Sequence, residues 1–183
     1  AGEAGAYAAL AALAAARGLL GVDASPEALR EALLRVASVR DGRFAPETLA
    51  DGTVLLDDTY NSNTGSARSS LKTARELADQ LHRRLVLVLG EMREMGPLAA
   101  QEHDEVARLA VAAAPALLVA VNGEAERFAR AAQEAGIASA FFSTGEEAAP
   151  HVARLVRPGD VVLVKASRGV RLETVASALR AAR

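Results

Sequence analysis

Apolar residues follow two patterns along this chain. Ahead of Gly42 they recur at helical spacing, with Leu10, Leu13 and Ala14 on one face of a segment over 6–17. Leu29, Ala32, Leu33, Val36 and Ala37 form one stripe of a second helix, which Ser25 caps and Pro26 opens. Two such helices have one apolar face each and need a packing partner. From Thr53 onward the stripes give way to continuous apolar runs at 54–56, 85–89, 117–121, 140–142 and 161–164. Unbroken runs of this length mark strands buried on both faces, as in a parallel sheet. Their starts lie about 20 to 35 residues apart, the spacing of βαβ units.

Helical periodicity fills the gaps. Over 64–81 it turns Ala67, Leu71, Ala74, Ala78 and Leu81 inward, with Asn63 at the N-cap. Gly96-Pro97 opens the next helix, which buries Val106 and Ala110, and a third carries Phe128, Ala129 and Ala132 and is closed by Gly136 as a left-handed terminator. Thr144-Gly145-Glu146-Glu147 has capping-box spacing, and Pro150 is expected to shorten the helix that follows. A last helix over 170–182 buries Leu172, Val175, Ala176 and Leu179. The segment 39–51, VRDGRFAPETLAD, is turn-rich and is read as a hinge, giving domains over 1–44 and 45–183. The predicted fold class is α/β, a doubly wound and mostly parallel sheet preceded by a short helical segment.

Each strand delivers polar residues to the same edge. Residues 54–56 lead into Asp57, Asp58 and the turn Thr59 to Asn63; the later runs lead into Gly90-Glu91, Asn122-Gly123, Ser143-Thr144 and Lys165-Ala166-Ser167-Arg168. In an open α/β sheet, ligands bind in the crevice beyond the carboxyl ends of the strands.

Composition narrows the chemistry. The 183 residues suffice for one domain and an appendage, and a formal charge of −2 gives no basic face for nucleic acid. Without cysteine there is neither a disulfide framework nor a thiolate metal site, which fits a reducing, cytoplasmic compartment. His82, His103 and His151 lack metal-ligand spacing. The alanine-rich first twenty positions, interrupted by Glu3 and Arg17, read as an amphipathic helix and as neither a signal peptide nor a membrane span. The chain does not start with Met and is read as a piece of something longer. It contains no G-x-x-x-x-G-K-(S/T) loop, no G-x-G-x-x-G turn, no nucleophile elbow and no His-Glu-x-x-His. A self-contained NTPase or dehydrogenase is therefore not expected.

The strand-end residues allow two readings each. Asp57 and Asp58 suit hydrogen bonds from vicinal ribose hydroxyls, or they cap the following turn. Asn63 reads as a helix cap, whereas Asn61 has no such structural duty. Lys165, Ser167 and Arg168 precede a helix N-terminus, where cations and backbone donors suit a carboxylate or phosphate; alternatively they are a charged strand exit capped by Ser167. Glu91 and Glu94 are crevice acids or solvated loop residues, Met92 and Met95 are packing, and His103 is a helix-surface or supporting residue. A response-regulator receiver shares paired acids, a hydroxyl residue and a lysine, here Asp57, Asp58, Thr144 and Lys165. Its phospho-accepting aspartate would fall at Asn122, which argues against signalling. A non-catalytic interaction domain with solvated strand ends is the other alternative.

Three segments, LLDDTYNSNTGSARSSL, VLVLGEMREMGPLAAQEH and VLVKASRGVRLE, resemble in this order and spacing the C-terminal part of the bacterial Mur ligases. The resemblance extends over essentially the whole chain and is nearest to the branch that joins D-alanyl-D-alanine to UDP-N-acetylmuramoyl-tripeptide. It implies a Rossmann-like C-terminal domain, preceded by the tail of a central ATPase domain, that closes over ATP. It further implies ATP-dependent amide ligation through an acyl phosphate in peptidoglycan precursor synthesis, with Mg2+ held by a central domain outside this chain. On that resemblance, Asp58 holds the ribose, Asn61 and Arg43 lie near the phosphates, and Lys165, Ser167 and Arg168 face the incoming amino acid substrate. The fragment alone is expected to be inactive and monomeric, with no nucleic acid or membrane partner. Three departures stand out. The family's G-x-H-N-x-x-N-A-L-A-A opening has lost its histidine and both asparagines over 2–12, Pro-Gly-Arg reads Asp41-Gly42-Arg43, and Lys-Gly-Ser-Arg reads Lys165-Ala166-Ser167-Arg168.

Overall fold

The structure, a computed structural model, describes residues 42–183 and Ala14. Apart from Ala14, the two N-terminal helices expected from the sequence and the altered opening over 2–12 lie outside the described residues. Six strands form one sheet: β1 (Ala45–Thr48), β2 (Val54–Asp58), β3 (Leu85–Gly90), β4 (Leu117–Val121), β5 (Ser139–Phe142) and β6 (Val161–Lys165). Their spatial order is β1-β2-β6-β3-β4-β5, with β1 antiparallel to β2 and every other pairing parallel. Over residues 42–183 five α-helices accompany the sheet: α1 (Thr64–Gln80), α2 (Ala99–Ala112), α3 (Glu126–Glu134), α4 (Gly145–Leu155) and α5 (Glu173–Ala181).

The continuous apolar runs have a direct structural cause. Side chains alternate between the two faces of a strand, and in β2, β3, β4 and β6 both faces are covered, whereas the edge strand β5 is only partly buried, with Phe141 36% exposed. Leu56, Leu87, Leu89 and Leu163 pack with Ala74 of α1, Val106 of α2 and Phe128 of α3. Leu55, Val86, Val88, Val162 and Val164 pack on the other face with Val152 of α4 and Leu179 of α5. The doubly wound, mostly parallel arrangement is the predicted one. Because β2, β3, β4, β5 and β6 run parallel, their polar exits gather at one edge.

β1 was not foreseen, for its four residues show no apolar alternation and include Pro46. Among the described residues it pairs only with β2, at the end of the sheet, so the missing proline N–H leaves no neighbouring strand there unpaired. The expected hinge over 39–51 thus holds a strand. Leu81, predicted to face inward, is the C-cap of α1 and 41% exposed. Pro150 does not shorten its helix, since α4 continues five residues past it to Leu155. Pro150 and Glu146 are both exposed, so the one backbone bond that the proline ring deletes leaves a carbonyl that water can solvate. Among the described residues no helix is long and apolar enough to cross a membrane.

Central placement of β6 predicts the effect of truncating it. Leu163→Ala removes side-chain volume from a fully buried position between β2 and β3 and lowers the unfolding free energy by about 2–5 kcal/mol. Urea denaturation of the chain measures this, and a loss below about 1 kcal/mol would contradict the packing.

Candidate functional site

The exits of β2, β6 and β3 build the site. Strand register sets Asp58 beside Lys165 on one side and Leu89 beside Lys165 on the other. Lys165 is therefore the last residue of a strand enclosed by two neighbours, and it is only 2% exposed. A buried ammonium needs its hydrogen bonds satisfied. Lys165 Nζ donates to Asp58 Oδ2 at 2.7 Å and to the Asn61 carbonyl at 2.9 Å. Ser70 Oγ, on α1, donates to the same Asp58 oxygen at 2.7 Å. Among the described residues no donor reaches Asp58 Oδ1, which leaves one carboxylate oxygen for a ligand.

The two adjacent aspartates have different duties. Asp57 is buried and accepts from Thr59 Oγ1 at 2.8 Å and from Arg180 at 3.0 Å, so it ties the β2 exit to α5. Arg180 also donates to Glu47 of β1 at 2.7 Å. Burial works against the arginine's charge, but the hydrogen bonds to Glu47 and Asp57 outweigh it and raise its pKa. The turn-capping reading thus describes Asp57, and the ligand reading is left to Asp58. Asn63 caps α1, accepting from Ser66 N at 2.8 Å in a reciprocal capping box. Asn61 is exposed, and its Oδ1 accepts from Ser62 N at 2.8 Å.

Lys165, Ser167 and Arg168 do not share one role. Lys165 is held inside the fold, in contact with the residue expected at the opposite end of the crevice. Ser167 is buried; its Oγ accepts from Arg93 N at 2.9 Å and its N–H donates to the Glu91 carbonyl at 3.2 Å. It precedes a short 3-10 turn, Arg168–Val170, without capping it through the side chain, and α5 begins only at Glu173. Arg168 is exposed. Its Cζ lies 5.4 Å from the centre of the Tyr60 ring, and Arg43 Cζ lies 3.8 Å from the same ring. Ala166 has room because the neighbouring strand ends in glycine: a Cβ on Gly90 would lie 2.6 Å from that of Ala166.

The loop after β3 binds these exits together. Glu91 N donates to the Val121 carbonyl at 3.1 Å, and Glu91 Oε1 accepts from Glu124 N at 3.1 Å. A Cβ on Gly123 would come within 2.0 Å of that oxygen, so the glycine, at φ +45°, makes the approach possible. Glu91 thus serves as a brace between β3 and β4, whereas Glu94 is exposed. Met92 is buried as packing. Its N–H donates to His103 Nε2 at 2.9 Å, and the other ring nitrogen of His103 lies 2.7 Å from the Ala99 carbonyl. Those partners make Nε2 the acceptor and set Nδ1 to donate to the carbonyl. His103 is fully buried and stacks on Phe128 at 5.4 Å. Of its two sequence readings, helix-surface or supporting residue, the second holds: His103 lies in the core and supports the loop. Alanines on the surrounding helical face had obscured this inward direction.

Two residues of the site, Tyr60 and Ser70, were not singled out from the sequence. Ser70 lies seven residues into the α1 stripe, between Ala67 and Ala74, and that spacing was the available signal. Among the described residues no group of three or more His, Cys, Asp or Glu side chains is placed to hold a metal ion.

The model of the family described as Mur ligase, glutamate ligase domain, matches residues 42–168. The chain is 36% identical to the UDP-N-acetylmuramoyl-tripeptide--D-alanyl-D-alanine ligase of Mycobacterium tuberculosis, over 92% of this chain and 36% of that protein. Among solved structures it resembles MurF from Acinetobacter baumannii, with 31% identity, a TM-score of 0.75, and coverage of 99% of this chain and 38% of that one. It also resembles the MurF ligase of Thermotoga maritima in complex with ADP, with 26% identity, a TM-score of 0.63, and coverage of 79% and 31%. The chain spans little more than a third of the length of the curated relatives it matches.

The buried pair predicts an asymmetry between single and double substitutions. Lys165→Met deprives Asp58, whose side chain is 14% exposed, of its cation, and lowers stability by about 3–5 kcal/mol. Adding Asp58→Leu restores most of the loss in urea unfolding, because no uncompensated charge remains. A negligible effect of Lys165→Met would show that the pair is solvated.

Proposed function

Because this chain belongs to the Mur ligase family, we propose that it is the closing C-terminal domain of an ATP-dependent amide ligase of peptidoglycan precursor synthesis. The domain runs from about residue 45, and the preceding segment belongs to a central ATPase domain. The substrates are ATP, UDP-N-acetylmuramoyl-tripeptide and D-alanyl-D-alanine. The γ-phosphoryl group of ATP passes to the terminal carboxylate of the tripeptide, giving an acyl phosphate and ADP. The dipeptide amine then attacks the acyl carbon. As the tetrahedral intermediate collapses, the C–O bond to phosphate breaks, the amide forms and the amine loses a proton.

This chain positions those reactants. Asp58 Oδ1 accepts from the ribose hydroxyls, while Lys165 and Ser70 hold the carboxylate by its other oxygen. Lys165 is thus a positioning residue and not a direct substrate contact. Arg43, with the exposed Asn61 beside it in the exit turns, faces the phosphates. Arg168 takes the dipeptide carboxylate, with Ser167 anchoring its loop. Closure of the domain excludes water that would hydrolyse the acyl phosphate. Magnesium, which neutralises phosphate charge in such transfers, has no ligand set among the described residues, and the steps assigned to this chain involve none.

The observation that carries this reading is Asp58 itself. One oxygen is tied to a buried lysine at 2.7 Å and the other has no described partner, at the end of a strand beside two exposed arginines.

Isotope transfer tests the chemistry in a complete protein carrying this chain. With 18O in the terminal carboxylate of the tripeptide, one labelled oxygen is expected in each phosphate released during ligation. Ligation with unlabelled phosphate would contradict the acyl phosphate route.

A further inference from the structure

Tyr60 stands in the turn after β2 with 42% of its surface exposed. Among the described residues its hydroxyl has no hydrogen-bond partner, and its ring lies outside both core clusters. Among the described residues neither packing nor hydrogen bonding accounts for an aromatic ring here. What the ring touches is charge, in the form of Arg43 from one side of the chain and Arg168 from the other.

Both arginines are brought to the ring by the backbone. Tyr60 N donates to the Gly42 carbonyl at 2.9 Å, and Phe44 N donates to the Asp57 carbonyl at 2.7 Å. Arg43 is therefore pinned between two bonds to the β2 exit. Gly42 permits that approach, since at φ +74° an added Cβ would lie 3.0 Å from Thr59 Oγ1 and 3.2 Å from Tyr60 N. Arg168 is delivered by the β6 exit directly after Ser167, whose backbone and side chain are both bonded to the β3 loop. With Cζ atoms 3.8 and 5.4 Å from one ring centre, the two guanidinium carbons lie within about 9 Å of each other. Like charges at that distance repel, and the face of an aromatic ring is what attracts each of them.

We propose that Tyr60 is a positioning residue that sets the separation of Arg43 and Arg168, so that one guanidinium grips a phosphoryl group and the other a carboxylate. This rests on the ligase reading. An extended dipeptide spans roughly 7 Å, so a carboxylate held at Arg168 directs the amine toward an acyl phosphate held beside Arg43. The ring thereby couples the nucleotide end of the crevice to the amino acid end, and its hydroxyl is dispensable.

Two measurements test the proposal. In this chain, the side-chain Nε–Hε signals of Arg43 and Arg168 are expected to show ring-current shifts that Tyr60→Leu removes and Tyr60→Phe retains. In a complete ligase carrying the chain, kcat/KM for D-alanyl-D-alanine is measured for Arg43→Ala, Arg168→Ala and both together, with Tyr, Phe or Leu at position 60. With Tyr or Phe, the double variant is expected to depart from the product of the singles by roughly fivefold or more. With Leu the departure vanishes, and Tyr60→Leu alone lowers kcat/KM by roughly three- to tenfold. Arginine shifts or non-additivity that persist unchanged in Tyr60→Leu overturn the positioning role. An unmodified ligase that forms no product would sink the ligase reading, and the substrate half of this proposal with it, while the arginine signals still decide what the ring holds.

Discussion

The contact on which this sheet edge depends is the ion pair between Lys165 and Asp58. The central strand ends in a lysine that its two neighbours enclose, and a buried ammonium without partners would carry a desolvation penalty of several kcal/mol. The penalty is met by Asp58 on the adjacent strand and by the Asn61 carbonyl in the next turn. Each contact has a local consequence. The first fixes the orientation of a carboxylate, and the second draws the turn over 59–62 down onto β6. Ser70 extends the grip to α1, so one cation orders a strand end, a turn and a helix together. The other oxygen of Asp58, without a partner among the described residues, is pre-oriented, which is what a ligand acceptor requires.

Around that contact the loops form a closed set of braces. Glu91 links the exits of β3 and β4, Ser167 links the β6 exit to the β3 loop, and His103 pins the β3 loop to α2. The three sequence segments that carried the family resemblance are thus parts of a single hydrogen-bonded structure. Glu91 also pairs with the exposed Arg93 at 3.6 Å, and its carbonyl accepts from Ser167 N, so Glu91 and His103 both help to set where Ser167 and hence Arg168 stand.

Much of the fold was legible because its signals are local. Uninterrupted Val and Leu runs identified strands covered on two faces, Asn63 and Thr144 announced their helices through capping, and Gly136 closed another. The edge strand β1 was illegible because a four-residue strand containing Pro46 has no periodicity to read. The course of α4 through Pro150 was misjudged because the outcome depends on whether the orphaned carbonyl reaches water, and sequence alone does not say so. The candidate site divided the same way. Asp58 and Arg168 could be nominated from strand ends, but the pairing of Asp58 with Lys165 depends on β6 lying between β2 and β3. Strand order is a property of the whole sheet, and it sets Lys165, grouped in the sequence with Ser167 and Arg168, against Asp58. Tyr60 was overlooked because a lone exposed tyrosine carries no signal until its neighbours are known.

The central claim is that Asp58, held by Lys165, receives the ribose of ATP. Calorimetric titration of a complete protein carrying this chain with ATP and with 2′,3′-dideoxy-ATP tests it most directly. The account predicts that the native protein binds ATP about ten- to a hundredfold more tightly than the dideoxy analogue. It also predicts that Asp58→Ala binds the two alike. A preference for the ribose hydroxyls that persists undiminished in Asp58→Ala would contradict it.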